Sequence, residues 1–96
     1  MKHNELQIEM DEAVAEGVYS NMAVMSHSTS EFVIDFLRLM PGVEKAKVKS
    51  RVVMTPEHAK RLMFAIQDNI RKYEMQFGEI RIPDPRLMAA PKGEAQ

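Results

Sequence analysis

The chain carries three histidines, His3, His27 and His58, and none has a second histidine or a cysteine at helical spacing. A zinc-type site needs three or four ligands converging on one point. With no cysteine in the chain, thiolate metal sites, iron–sulfur clusters, disulfides and cysteine nucleophiles fall away together. No metal and no cofactor is expected. Ser26, His27, Ser28 and Asp35 supply the residue types of a nucleophile relay, but such relays are defined by geometry and not by spacing. The chain has no G-x-S-x-G elbow, and its four glycines do not form a phosphate-cradling loop. A serine–histidine–serine cluster between apolar runs reads first as a polar turn. The expectation is a protein that is not an enzyme.

Two other residue sets carry chemistry of a binding kind. Lys45, Lys47, Lys49 and Arg51 alternate with Ala46, Val48, Ser50 and Val52, which predicts a strand with one basic wall. Four cations at strand spacing cover about 20 Å, enough to touch several phosphates. Lys60 and Arg61 extend the candidate anion or nucleic-acid patch. No aromatic residue is interleaved with these cations, so a base-stacking platform is missing. The plainer reading is a solvated strand whose lysines guard an edge. The second set is apolar. Nine methionines are present, a residue suited to irregular cores and to adaptable binding surfaces alike. Phe64 and Met75 fall opposite the apolar stripe of the helix described next. They are the candidates for protein binding or for an oligomer interface.

These residues must be positioned by a small number of elements. Leu6, Ile8 and Met10 alternate with polar residues, the period of a half-buried strand. Residues 11–16 are acidic and read as a loop or a short helical turn ending at Gly17. Residues 18–27 and 31–40 are apolar on both faces, with a polar hairpin turn around Ser26 to Ser30. A helix competes for the second run, because residues 32, 36 and 39 also form a stripe; β-branched and aromatic content favours strand. Pro41 and Gly42 mark a turn, and residues 45–54 form the fourth strand. Thr55, Pro56 and Glu57 are a helix start and Gly78 a helix end. The helix of about residues 56–77 presents Ala59, Leu62, Met63, Ile66, Ile70, Tyr73 and Phe77 as its core side.

The expected fold class is therefore α+β: a four-stranded antiparallel sheet followed by one long C-terminal helix. Residues 1–82 form the single domain, and residues 83–96, with Pro83, Pro85 and Pro91, a flexible tail. A chain of 96 residues, 45% hydrophobic and 28% charged, allows one domain and is not compositionally disordered. No apolar run approaches a membrane span, and no signal peptide is visible, so a cytoplasmic location is expected.

Net charge is -1, which gives no global attraction to nucleic acid or to an acidic membrane. That total hides a division. Residues 1–36 hold seven acidic residues and Lys2, whereas residues 37–96 hold twelve basic and seven acidic ones. The two halves can pair within one domain or between copies. One helix cannot cover both faces of a sheet whose middle strands are apolar on both sides. The expected partner is a second copy, with a dimer as the simplest state.

The segments Gly17-Val18-Tyr19-Ser20-Asn21, Ser30-Glu31-Phe32-Val33-Ile34-Asp35-Phe36, Ser50-Arg51-Val52-Val53-Met54-Thr55-Pro56-Glu57-His58-Ala59-Lys60 and Tyr73-Glu74-Met75-Gln76-Phe77-Gly78 resemble a small bacterial family of proteins of unknown function. The resemblance spans about residues 5–82 and implies no reaction and no established site. In layout alone the chain is similar to the SecB-type export chaperones, which self-associate and bind unfolded polypeptide in apolar grooves. Taken together, these features predict an oligomeric, chaperone-like binding module for another protein or an unfolded polypeptide. Nucleic-acid binding through the basic strand is the alternative.

Overall fold

Three strands and a long helix dominate the computed structural model, which describes residues 6–83. A single helical turn, α1 (Glu12–Ala15), comes first, followed by β1 (Met22–His27), β2 (Phe32–Arg38), β3 (Lys47–Met54) and α2 (Pro56–Phe77). The strands form one antiparallel sheet in the order β1-β2-β3. The α+β class and the C-terminal helix are as the sequence predicts. Among the described residues three strands form rather than four: residues 6–10 keep their period-two sequence but pair with no strand. The predicted tail beyond residue 83 lies outside the described residues, as do His3 and Lys2.

Local chemistry explains each boundary. Ser28 closes the β1–β2 hairpin: its N–H donates to the Glu31 carbonyl at 2.9 Å, and its Oγ accepts from the N–H groups of Ser30 and Glu31 at 3.3 Å. Such local side-chain bonding is why Ser clusters mark turns. β1 begins four residues later than the apolar run suggests, because Ser20 and Asn21 are used as a clamp. Ser20 Oγ donates to the Leu37 carbonyl at 2.9 Å. Asn21 brackets Leu39, accepting its N–H at 2.8 Å and donating to its carbonyl at 3.1 Å. Asn21 is exposed, and its role is structural.

Register sets the two sheet faces, since directly opposed residues share a face. Ile34 stands between Met25 and Val52, and Phe32 between His27 and Met54. That face is apolar and includes Ile34, the one buried hydrophobic among the described residues, 5% exposed. On the other face Asp35 stands between Val24 and Arg51, and Val33 between Ser26 and Val53. A bulge interrupts the β2–β3 ladder between Phe36 and Leu37: Phe36 pairs with Ser50, but Leu37 pairs with Val48, so Lys49 is the extra residue.

The helix matches its sequence signals residue for residue. Thr55 Oγ1 accepts the His58 N–H at 3.1 Å, Pro56 opens the first turn, and Gly78 ends it with φ 99°. That left-handed φ suits glycine, which has no Cβ to clash. The predicted packing of α2 on the sheet, however, is absent. No residue of α2 is buried, and contact between α2 and the sheet is marginal. Ile66, Ile70, Tyr73 and Phe77 are 42–66% exposed. The stripe is present, but among the described residues the sheet does not cover it.

Candidate functional site

The cations read as a basic wall are divided by the bulge. Arg51 lies opposite Asp35, whereas Lys47 lies opposite Arg38. Asp35 and Arg38 are three apart on a regular strand, so Lys47 and Arg51 belong to opposite faces. Arg51 is also occupied: its Nε donates to Asp35 Oδ1 at 2.6 Å and its Nη2 to Oδ2 at 2.9 Å. This two-pronged geometry is the favourable one for guanidinium and carboxylate. The hydrogen bond to Arg51 holds the Asp35 carboxyl below its ordinary value of 3.8, against a smaller opposing effect of desolvation. The same bond raises the pKa of Arg51. Arg61 pairs with Glu57 one helical turn earlier. Among the described residues Lys45, Lys47, Lys49 and Lys60 form no salt bridge. Directly opposed Arg38 and Lys47 leave one end of the sheet with two like charges face to face, an unfavourable arrangement in isolation. Arg38 meets the Tyr19 ring instead, 5.6 Å from its centroid.

No catalytic arrangement forms from the serine–histidine cluster. His27 stacks on Phe32 at 5.3 Å, on the apolar face, while Asp35 lies on the opposite face, committed to Arg51. His58 stands in the first turn of α2, remote in sequence from both. Among the described residues no three histidine, aspartate or glutamate side chains come together in a way that could hold a metal ion.

The apolar candidates are where the helical wheel places them. Phe64 is 54% and Met75 76% exposed. Arg71 lies over Met75, with Nη1 3.6 Å from the sulfur, and also pairs with Asp68 at 2.7 Å. Lys72 reaches the same carboxylate at 3.0 Å, and the two cations lower the Asp68 pKa, Lys72 contributing first. Met75 thus sits at the end of a charged ladder and keeps its apolar tip in the open.

Sequence reasoning missed a third surface. After Gly78 the chain folds back, and the Ile80 N–H donates to Glu74 Oε2 at 3.0 Å. Ile80 then closes one side of a shallow apolar groove floored by Leu62, Ile66, Ile70 and Tyr73. The signal available was the heptad spacing of Ala59, Met63, Ile66, Ile70, Tyr73 and Phe77, which is the seam spacing of helices that pack on another element lengthwise. No helix is long and apolar enough to cross a membrane, among the described residues.

No curated protein and no solved structure matches the chain, so the layout likeness to SecB-type chaperones stands unsupported by either. One family model matches, over residues 1–82, which spans both strand-bearing and helical segments. The chain belongs to the family described as "Protein of unknown function (DUF3467)".

Proposed function

We propose that the protein is a homo-oligomeric, non-enzymatic binding module, a dimer in its simplest form. It holds another protein or an unfolded polypeptide on apolar sheet and helix surface, as a chaperone does. One observation carries this reading: a 22-residue helix with a continuous apolar stripe buries none of its residues. An isolated helix of this length is marginal in water, because helical stability in proteins comes mainly from packing. Contiguous exposed apolar surface of this kind marks an interaction site. The stripe ending at Phe77 serves self-association, and the outer pair Phe64 and Met75 is left for the client. A fourth strand, supplied by residues 6–10, completes the sheet in the assembled protein.

The test is a mass by light scattering at micromolar concentration, alongside capture of a reduced, unfolded polypeptide. Twice the chain mass of 11.0 kDa, with at least tenfold weaker capture by the F64S/M75S double variant at unchanged mass, supports the reading. A monomer of that mass refutes self-association, and unchanged capture refutes the client surface. Nucleic-acid binding is the second reading, resting on the lysines that form no salt bridge among the described residues. It predicts retention of RNA or DNA that K47E/K49E abolishes.

A further inference from the structure

The segment of residues 6–10 is a strand without a sheet. Leu6, Ile8 and Met10 are 77%, 84% and 65% exposed, and no hydrogen bond ties the segment to the rest of the chain among the described residues. Strict alternation is the pattern of a strand with one buried face, so the sequence encodes a pairing that one copy leaves unmade. The sheet, in turn, has two open edges. The β1 edge is uncharged over Met22–His27. The β3 edge carries Lys47, Lys49 and Arg51, and its end bears the unfavourable Arg38–Lys47 opposition. The unpaired segment and the turn after it are acidic, with Glu9, Asp11 and Glu12.

We propose that residues 6–10 of one copy add to the outer edge of β3 of a second copy, and reciprocally, so that each four-stranded sheet is completed by the partner's chain. This rests on the homo-oligomer reading and specifies its geometry. Strand addition satisfies the open backbone groups of both edges with ladder hydrogen bonds. Opposed charges across neighbouring strands stabilise, whereas the same lysines repel a cationic edge and gain nothing from an uncharged one. Placing Leu6, Ile8 and Met10 on the face of Ile34, Val52 and Met54 extends the apolar face by one strand. Gln7 and Glu9 then fall on the face of Arg51. A two-fold reciprocal exchange closes on itself and leaves no open-ended chain of copies.

The chain has no cysteine, so introduced thiols are unique. Two differently tagged copies are co-expressed, one with Gln7→Cys and the other with Lys49→Cys, and treated with a short bismaleimide. Both positions are exposed, so the fold is expected to tolerate them. A covalent species carrying both tags is the expected result; a copy bearing Gln7→Cys against Ser26→Cys on β1 should give none. A charge exchange provides a second reading: Glu9→Lys weakens the dimer at least tenfold, and Lys49→Glu in the other copy restores part of the loss. In a further protein given both substitutions in one chain, a cross-link that stays within that chain overturns the exchange while leaving the dimer intact. A cross-link to Ser26→Cys, or none in a protein that light scattering shows to be dimeric, overturns the β3 edge. A monomer by light scattering refutes the exchange and the homo-oligomer reading together.

Discussion

At the scale of single residues, the Asp35–Arg51 pair does the most defined work. It links β2 to β3 on the face without the buried isoleucine, and it fixes a register that the neighbouring bulge would otherwise loosen. Its contribution depends on pH in a known direction. Asp35 is held below its ordinary value of 3.8 in the folded chain. Stability from the pair is therefore complete above that value and is lost as pH falls through the lower, folded pKa. Asp35→Asn should flatten the acid limb of the stability curve, measured by urea unfolding from neutral pH downwards, while leaving a two-state transition. An acid limb as steep as in the parent would assign the dependence to other carboxylates. Much at this scale was legible in the sequence. Thr55, Pro56 and Gly78 are helix punctuation by side-chain chemistry alone, and the Ser28 turn likewise. The division of the basic wall was not legible. Lys47 and Arg51 share a period in one strand, but the bulge that separates them belongs to two strands and cannot be read from either alone.

At the scale of elements, α2 is the informative case. Its bounds follow from local signals, whereas its environment does not, because burial requires a surface that the same chain must supply. The stripe from Ala59 to Phe77 predicted a core side and found none within the chain. The helix therefore depends on its cap and, in the proposed dimer, on the second copy. Thr55→Ala removes the acceptor of the His58 N–H and should cost about 1 kcal/mol, read as a lowered denaturation midpoint at fixed protein concentration. Amide exchange gives a sharper test. If a second copy covers α2, its amides are slow at high concentration and fast on dilution, while the β2 amides around Ile34 change less. Exchange independent of concentration would mean that α2 is held some other way. Residues 6–10 pose the same problem in strand form. Their alternation predicts a strand, but a strand exists only when paired, and residues 6–10 pair with none among the described residues.

At the scale of the whole molecule, charge and apolar surface make opposite demands on the solvent, and this separates the modes of association. The chain is acidic over residues 1–36 and basic over residues 37–96. If acidic segments of one copy lie along basic strands of the other, raising sodium chloride from about 0.05 to 0.5 M should weaken the dimer, since exposed charges are screened beyond about 10 Å at 0.1 M ionic strength. Ammonium sulfate should then strengthen it again, because excluded salts favour apolar burial. The seam of α2, flanked by Leu62, Gln67, Asn69 and Gln76 with one charge of each sign at Lys60 and Glu74, has less charge to screen and should answer mainly to the second salt. Sedimentation equilibrium in the two salts reads both effects on one sample. Weakening in chloride that Glu9→Lys abolishes places the electrostatic part of the interface at the acidic segment. Indifference to chloride would assign association to the helix seam alone and leave the open strand edge of β3 for a different occupant. Nucleic acid would reveal itself in the same series: phosphate contacts by Lys45, Lys47 and Lys49 would fall steeply with chloride and would not recover in sulfate.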